Sequence, residues 1–577
     1  MALPFSKPAL LPSEDPKPAL RAEAIRAARR DHVWDWSWPP GCATLRKVPG
    51  PDRYPIDFIA LTAKLQLEVT ANHLAVTIDG TRRLPTLPKP PTSADDLFQN
   101  FFSAAEHFQQ GAPTTRPAKP DDYALYFNKL PVPPLVTRLQ QHPDEADLLF
   151  AWQRVAGANP MSLHRVTRLP DDLLVTEAHW SRAFTTGSLA EALDTGRLFA
   201  LDFTALHGAP SNRYLDRQKY LFGARALFSS HAGPLLPLAI QLSPGDAVYT
   251  PADGTAWAMA RYCLNVADAN VHETMEHLGR THMVVEAVAI ALRRNVADAH
   301  PLRRLLEPHI VGTFAINESA KTSLIAPEGV IDRVFSARID VAASLVRLAL
   351  DGFSLQDRAP SRELRARGVD DRETLPEYPY RDDIAPLYAA IERFVTGYVQ
   401  RFYPADAAVS ADPELRAWVD EVASPIGGAL RNVRPVETVA GLVEWITNVI
   451  HVASEQHAAV NFPQYPYFGY GASVAGACWG PGPRPGDNTD ADLLALMPPW
   501  DCLMLQADTV YQLSGIHYTR LGDYPRLGDD RADALARAFR DELASLETVI
   551  AEADAEGARR LPYPFLRPSQ IPASINI

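Results

Sequence analysis

The sequence predicts a mainly α-helical protein with a few short β-strands. Apolar residues recur every three or four positions over long stretches, which is typical of helices with one buried face. Strand-like pieces are few and short. Proline is abundant, with 51 residues, and it clusters in connecting segments such as LPTLPKPPTS and WGPGPRPGDNTD. With 46% hydrophobic residues, the chain has enough apolar side chains for a sizeable core.

Along the chain, the first hundred residues are proline-rich around one apolar segment near 55–78. No run of evenly spaced alternating strands occurs there, which disfavours an N-terminal β-sandwich. From about residue 95 onward, helical patterns dominate; examples are ADDLFQNFFSAAEHF, IAPLYAAIERFVTGYVQRFY, PELRAWVDEVA and ADALARAFRDELASLETVIAEADA. Strand-like exceptions are LFALDF (198–203) and PLAIQL (237–242).

Composition argues against several classes of function. The net charge of −13 and the lack of a dominant basic tract exclude nucleic acid as an expected partner. No long uncharged apolar run predicts a membrane span, and the N-terminus lacks the pattern of a signal peptide, so we expect a cytoplasmic protein. The four cysteines are far apart and form no CxxC, which favours buried free thiols over a zinc site or disulfides.

Five histidines lie in one forty-residue stretch that includes an almost wholly apolar helix with Glu286 embedded in it. They are His272, His277, His282, His300 and His309. His277 and His282 are five residues apart, and five residues of an ideal α-helix turn about 500°, which leaves the two side chains about 140° apart. A π-type widening would bring them to one side, so the spacing predicts a distorted helix that holds a metal.

A second pair, His457 and Asn461, is four residues apart in QHAAVNF. Such a pair shares a helix face without distortion. Imidazole and oxygen ligands without thiolate suit iron or manganese better than structural zinc. Any single histidine is more often an ordinary core residue than a ligand, and only the joint pattern of spacings favours a metal centre.

These motifs resemble the lipoxygenase family. The similar pieces are HLGRTH, HPLRRLLEPH, FAWQRVAGANP, LPLAIQL, EYPYRDD, QHAAVNFPQYPY and the end SQIPASINI. The resemblance covers roughly 145–577 and implies a helical catalytic domain around two long central helices. Residues 1–144 are then a proline-rich, helical region packed on or covering that domain. This arrangement is similar to bacterial-type members, without the lipid-binding β-sandwich or its calcium.

The resemblance also implies the ligands of one non-haem iron, with water or hydroxide at the sixth position. They are His277, His282, His457, Asn461 and the terminal carboxylate of Ile577. The three other histidines of the block are assigned to packing and to hydrogen bonds around the ligands. Manganese stays an alternative metal, because first-row metals share such ligands.

The implied chemistry is the dioxygenation of fatty acids that contain a cis,cis-1,4-pentadiene, such as linoleate, linolenate or arachidonate. Iron(III)-hydroxide takes a hydrogen atom from the doubly allylic carbon, and dioxygen adds on the opposite face to give a hydroperoxide. Fatty acid and dioxygen are then the partners of a monomer that makes transient contact with a membrane surface.

Next to the ligands, the family usually has glutamine where this chain has Glu273, whereas Gln464 matches. In the family these two positions link the ligand asparagine to the substrate cavity. Glu273 is expected either to accept a hydrogen bond from Gln464 or to be ion-paired and point elsewhere. We expect Glu273→Gln to change turnover without removing iron.

The resemblance further assigns residues of the substrate channel. Ala320 matches a position that is alanine in S-specific and glycine in R-specific members, which predicts S stereochemistry. Phe335, a bulky residue at the cavity floor beside Val334, favours oxygenation at carbon 13, whereas the small Ala269 leaves extra room. An arginine of the plant members is replaced by Val474, which favours entry of the methyl end first. Other residues expected to clamp the pentadiene are Ile316, Leu324 and Leu513.

Two other functions stay open. Some family members isomerise or cleave fatty-acid hydroperoxides at the same iron site, and oxygen consumption distinguishes that reaction from dioxygenation. A non-catalytic lipid-binding homologue is the second alternative, although intact ligand positions argue against it.

Overall fold

The computed structural model describes residues 8–78, 81–82, 112–555 and 559–577. It confirms the predicted mainly α-helical class. The α-helices before the histidine block are Pro18–Asp31, Ile56–Ala75, Pro134–Gln141, Ala146–Ala156, Glu177–Ala183 and Leu189–Asp194. Those between the histidine block and QHAAVNF are Pro301–Leu306, Thr313–Ser319, Val330–Val334, Ile339–Asp351, Pro360–Arg367, Pro379–Phe402, Asp406–Ser410 and Pro413–Ala423. The helices that follow are Gln464–Phe468, Asp490–Leu496, Trp500–Ser514 and Asp530–Ala553.

Most of the helices predicted from apolar periodicity are present. The pattern PELRAWVDEVA coincides with Pro413–Ala423, and the two long patterns near 384–403 and 532–555 lie in Pro379–Phe402 and Asp530–Ala553. The predicted helix ADDLFQNFFSAAEHF lies outside the described residues.

One antiparallel sheet of five strands accounts for both predicted strands. LFALDF forms Leu198–Asp202 and PLAIQL forms Leu236–Gln241, and both pair with Arg225–Ser229 between them. The outer strands are His164–Arg165 and Val248–Tyr249. Two-residue strands form separate pairs: Trp34–Asp35 with Thr44–Leu45, Thr77–Ile78 with Thr81–Arg82, and Arg213–Tyr214 with Arg217–Gln218.

The first central helix runs from Thr255 to Asn295. Its ends, Thr255–Val271 and Val284–Asn295, are α-helical, and its middle, His272–Met283, is a π-helix. Almost every residue of the helix is buried, because neighbouring helices surround it on all sides. The distortion predicted from the His277–His282 spacing is therefore confirmed.

The second central helix runs from Val439 to Asn461 and packs against the π-helical part of the first. It has its own π-segment, Val452–Gln456, between the α-helical parts Val439–His451 and His457–Asn461. The sequence analysis did not predict this segment, since the four-residue spacing of His457 and Asn461 needs no distortion.

Gly279 allows a close contact between the first central helix and the helix Ile339–Asp351. A Cβ at this position would lie 2.8 Å from the Cβ of Ala349 and 3.1 Å from the carbonyl oxygen of Thr274. Any larger residue would push the two helices apart and move the π-helix that carries the histidines.

The described residues between 8 and 144 pack on the helical body and share its hydrophobic core, which extends from Leu11 to Ile577. The backbone N–H of Leu45 donates to the carboxylate of Glu286 in the first central helix, at 2.8 Å. Between residues 8 and 78 the chain forms helices and two-residue strands, and no β-sandwich occurs in that range. The proposed domain division at 144/145 stays a prediction.

The composition also led to expectations about the cysteines and about membrane-spanning helices. All four cysteines are buried and free, as expected. Among the described helices, none is both long and apolar enough to cross a membrane.

Candidate metal centre

Three buried histidines bring their ring nitrogens to one point between the central helices. The Nε2 atom of His277 lies 3.2 Å from that of His282 and 3.4 Å from that of His457. Within the described residues, this is the group of histidine, cysteine and acidic side chains whose geometry suits a metal ion. Histidine nitrogens bound at about 2.1 Å and at right angles around one ion lie about 3 Å apart, so the observed spacing fits a shared metal.

Burial favours the neutral, metal-binding form of two of these imidazoles, His282 and His457. It lowers the pKa of His282 to about 3, and the neighbouring His277 acts in the same direction. The pKa of His457 also falls well below its ordinary value because of burial, opposed by the adjacent main chain of Ile577. A metal cation at this point would accept the lone pairs of the ring nitrogens that face one another.

Asn461 lies on the same helix face as His457, one turn later. Its Oδ1 accepts a hydrogen bond from Nε2 of Gln464 at 3.0 Å, and its Nδ2 donates to the carbonyl oxygen of Leu513 at 2.9 Å. An amide oxygen has two lone pairs, so Oδ1 keeps one for a metal. The resulting donor set of imidazole nitrogens and an amide oxygen, without thiolate, suits iron or manganese.

Glu273 does not use Gln464 as its partner. Its Oε2 lies 3.0 Å from Nδ1 of His277, one turn further along the helix. Although burial raises the pKa of Glu273, the charge and hydrogen bond of His277 hold it below the ordinary value. Of the two expectations, pairing away from Gln464 is the one observed, and the carboxylate orients a ligand ring.

His282 is oriented by Asn317, which the sequence analysis missed. Nδ1 of His282 lies 2.7 Å from Oδ1 of Asn317, whose Nδ2 donates to the carboxylate of Glu286 at 2.7 Å. Burial raises the pKa of Glu286 to about 7. The embedded Glu286 was visible in the sequence as a buried acid that needs partners, but the partners are 31 residues away or more along the chain.

The three remaining histidines of the block lie outside the cluster and make structural contacts, as expected. His272 bridges the central helices through the carbonyl oxygen of Val460, at 2.8 Å. His300 contacts the carboxylate of Asp412 at 2.9 Å. His309 lies between the carbonyl oxygen of Ala573 and the hydroxyl of Tyr524, at 2.6 Å from each.

The segment that ends at Ile577 is buried beside His457. Thr313 donates to the carbonyl oxygen of Ile575 at 2.9 Å, and Ser574 donates to that of Val311 at 2.7 Å. Gly312, with φ +83°, makes room: a Cβ there would lie 2.8 Å from the Cβ of Asn576. These contacts hold the main chain of Ile577 next to the imidazole ring of His457.

A narrow apolar cavity, with a free volume of about 30 Å³, adjoins the cluster. Three of its lining residues contact the candidate ligands: Glu273 meets His277, while Gln464 and Leu513 meet Asn461. The complete lining is Ala269, Glu273, Leu324, Val330, Ile331, Val334, Phe335, Gln464, Phe468, Ala475, Gly476, Gln506, Thr509, Val510 and Leu513.

Most residues assigned to the channel line this cavity; they are Ala269, Leu324, Val334, Phe335 and Leu513. Ile316 and Ala320 are buried nearby but are not among the lining residues. Ala320 begins a third π-segment, Ala320–Leu324. Val474 is also buried, directly before the lining residues Ala475 and Gly476.

The lining residues that the sequence analysis missed include one face of the helix Trp500–Ser514. Gln506, Thr509 and Val510 precede Leu513 by seven, four and three residues, which places all four on one side of the helix. Counting back from Leu513 by three, four and seven residues, the spacings that share one helix face, predicts these three positions.

A helical fold with a buried three-histidine centre beside an apolar cavity defines a metalloprotein of the mononuclear, non-haem class. The sequence profile described as Lipoxygenase matches residues 99–503. A linoleate 9/13-lipoxygenase of Pseudomonas aeruginosa is 35% identical, over 86% of this chain and 74% of that protein. The chain therefore belongs to the lipoxygenase family, a family of non-haem iron enzymes that includes dioxygenases.

Other relatives carry different activities in their names. The allene oxide synthase-lipoxygenase protein of Plexaura homomalla is 31% identical over 74% of this chain, and a hydroperoxide isomerase of Mus musculus is 32% identical over 75%. The chain spans less than two thirds of these two proteins, 43% and 62% of their lengths. The crystal structure of coral 8R-lipoxygenase matches 99% of this chain and 84% of its own, with a TM-score of 0.85 and 26% identity.

Proposed function

We propose that this protein dioxygenates polyunsaturated fatty acids with a cis,cis-1,4-pentadiene to S-hydroperoxides, with linoleate oxygenated at carbon 13. The observation that carries the proposal is the contact between the cavity and the metal centre. Glu273, Gln464 and Leu513 each touch a candidate ligand and also line an apolar cavity. A fatty-acid chain in this cavity lies beside the metal.

We infer that the metal is iron, held by His277, His282, His457, Asn461 and the terminal carboxylate of Ile577. Bound iron would supply the one-electron oxidant and, together with a base that accepts the proton, would remove a hydrogen atom from the substrate. The protein's own side chains exclude water and hold the ligand rings at fixed angles. The three imidazoles and the amide oxygen support iron or manganese, and family membership favours iron.

The position of oxygenation depends on how far the chain enters the cavity. Phe335 lies at the cavity wall beside Val334, and its ring limits the depth. Val474 offers no cation to a carboxylate at the inner end, which supports entry of the methyl end first. With the methyl end innermost, the pentadiene of linoleate reaches the metal from its ω-6 side. This orientation supports oxygenation at carbon 13.

The test is the absorbance of conjugated diene and the uptake of oxygen when iron-loaded protein is mixed with linoleate in air. We expect a signal whose lag is shortened by added hydroperoxide, and a predominantly 13S product in chiral chromatography. The His282→Ala protein, which lacks a ligand, should give no signal. Stoichiometric iron without any oxygen uptake would refute the proposal.

A second activity is supported by the mouse relative named as a hydroperoxide isomerase. In that case the protein converts fatty-acid hydroperoxides and consumes no oxygen. Incubation with 13-hydroperoxide of linoleate under argon distinguishes the two, because only isomerisation consumes this substrate without oxygen. A lipid-binding protein without catalytic activity would neither consume oxygen nor convert the hydroperoxide.

A further inference from the structure

Lys219 is a fully buried lysine whose ammonium group contacts main-chain carbonyls at one end of the cavity. Its Nζ donates to the carbonyl oxygens of Asp332 at 3.0 Å, Arg333 at 2.6 Å and Phe335 at 2.9 Å. The side chain is completely removed from solvent. No carboxylate within the described part of the chain forms a salt bridge with it, so the carbonyls and two aromatic rings are what hold the charge.

These carbonyls belong to the end of the helix Val330–Val334 and to the residue after it. The last carbonyls of a helix lack intrahelical partners and carry partial negative charge, so an ammonium group stabilises them. The rings of Tyr214 and Trp479 lie 5.9 and 5.4 Å from Nζ and add attraction for a cation. Burial lowers the pKa of Lys219 to about 8, which still leaves it mostly charged at neutral pH.

The same residues form the wall of the cavity. Val334 and Phe335 line it and lie between Lys219 on one side and Gly476 on the other. A Cβ at Gly476 would lie 2.7 Å from the carbonyl oxygen of Val334 and 3.0 Å from the ring of Phe335. Ser336 donates its backbone N–H to the carbonyl oxygen of Gly476 at 2.9 Å. This hydrogen bond joins the main chain after Phe335 to the main chain at Gly476.

We propose that Lys219 is a positioning residue that fixes Phe335 and thereby sets the length of fatty-acid chain that the cavity accepts. This inference rests on the proposed function, because it assumes that the cavity binds a fatty acid. Lys219 does not touch the chain; it acts through the main chain of residues 332–335. Without the ammonium group, the carbonyls of Arg333 and Phe335 lose this donor, whereas that of Asp332 keeps the side-chain amide of Asn212 at 2.6 Å. The end of the segment then relaxes and the ring of Phe335 withdraws.

Arg217 provides a matched control two residues earlier. Its guanidinium lies over the same two rings, at 5.2 and 5.0 Å, but it pairs with Asp501 at 2.8 Å and with no carbonyl of 332–335. Loss of Arg217 therefore removes a partly buried cation from the same rings without releasing Phe335.

The first experiment measures binding rather than catalysis, so that its outcome is independent of turnover. Saturated fatty acids of increasing chain length are titrated into iron-loaded wild-type, Lys219→Met and Arg217→Met proteins by calorimetry. We expect the affinity of Lys219→Met for acids two carbons longer than the wild-type optimum to rise roughly tenfold relative to the optimum. Arg217→Met should keep the wild-type profile.

A double-mutant cycle tests whether Lys219 acts through Phe335. Phe335→Ala should itself shift the chain-length optimum upward, and Lys219→Met should then add no further shift. An unchanged profile in Lys219→Met, or shifts that add fully in the double variant, would overturn the inference. If Lys219→Met does not fold, Lys219→Gln takes its place under the same criteria, since a neutral amide keeps two donors but loses the charge.

The two proposals fail in different ways. Wild-type protein that binds fatty acids but consumes no oxygen refutes the dioxygenase and leaves the chain-length test intact. Protein that oxygenates linoleate with the same length profile in every variant refutes the role of Lys219 alone.

Discussion

At the scale of single residues, two side chains decide which ring nitrogen of His277 and of His282 faces the centre of the histidine cluster. Glu273 contacts Nδ1 of His277, and Asn317 contacts Nδ1 of His282. Because an ionised carboxylate only accepts hydrogen bonds, Nδ1 of His277 must be the donor. In the metal-binding form of the ring, the lone pair is therefore on Nε2, the atom that faces the other histidines.

Glu273→Gln should lower turnover while iron stays bound. Glutamine still offers an oxygen to Nδ1 of His277 but loses the negative charge, and charge-assisted hydrogen bonds are about twice as strong as neutral ones. Since loss of such a partner typically costs about 10- to 100-fold in activity or metal affinity, we expect kcat to fall roughly tenfold. Iron content by atomic absorption should remain stoichiometric.

Glu276→Gln is the control, because Glu276 is on the same π-helix but pairs with Arg280 instead of a histidine. Its kcat should stay at the wild-type value. Equal kinetics for Glu273→Gln and wild type would contradict the role of the carboxylate.

Ala320→Gly should change the stereochemistry of the product. The methyl group of Ala320 is expected to shield one end of the pentadiene from oxygen, and one methyl in an apolar pocket discriminates about tenfold or more. We expect R product, formed at the other end of the diene, to rise to at least roughly a tenth of the total. Chiral chromatography measures it, and Ala315→Gly on the preceding helix should leave the S product unchanged.

At the scale of secondary-structure elements, π-segments coincide with the site. His272–Met283 carries two of the clustered histidines, Val452–Gln456 directly precedes the third, and Ala320–Leu324 carries two channel residues. A π-segment costs hydrogen-bond geometry relative to an α-helix, so tertiary contacts must stabilise it. A metal held by the three clustered histidines would be one such contact, because these histidines come from both central helices.

Removal of the metal should therefore loosen both helices at once. With iron at about a hundred times its dissociation constant, binding stabilises the fold by about 2.7 kcal/mol. For a chain of this length, that corresponds to a fall in Tm of roughly 2 °C on chelation. Calorimetry measures the shift, and hydrogen exchange should increase in His272–Met283 and Val452–Gln456 before it increases in Pro379–Phe402.

The His282→Ala protein supplies the comparison, since it lacks a ligand and its Tm should not respond to the chelator. A chelator effect of equal size in both proteins would mean that the stabilising metal is bound elsewhere.

At the scale of the whole molecule, distant parts of the chain meet at the metal centre. The strand Thr44–Leu45 reaches Glu286, which contacts Asn317 beside His282. The segment before Ile577 is held by Thr313, Ser574 and His309. The site therefore depends on the correct packing of nearly the full length of the described chain.

Adding one alanine after Ile577 should abolish iron binding. Ile577 is completely buried and the preceding Asn576 lies against Gly312 without free space, so an extra residue must displace the proposed carboxylate ligand. We expect less than roughly a tenth of the wild-type iron content, in line with the loss of an essential ligand. Ile577→Val keeps the carboxylate in place and should bind iron normally; full iron content in the extended protein would exclude the carboxylate as a ligand.

The sequence by itself determined the helical class, the strands near 198 and 236, and the clustered histidines. Local spacing carries this information: a three- to four-residue apolar period makes a helix, and the five-residue spacing of His277 and His282 requires its π-distortion. The resemblance of whole motifs added seven of the fifteen residues that line the cavity.

Only the tertiary structure decided the partners of Glu273 and Glu286, the contacts of Asn317 and Lys219, and the π-segment before His457. Most of these contacts join residues that are far apart in the chain, and Glu273 pairs with His277 one helix turn away instead of the distant Gln464. Hydrogen bonds of buried polar groups are satisfied by whatever the packed fold brings within about 3 Å. No local pattern encodes that choice, so the sequence alone could not predict it.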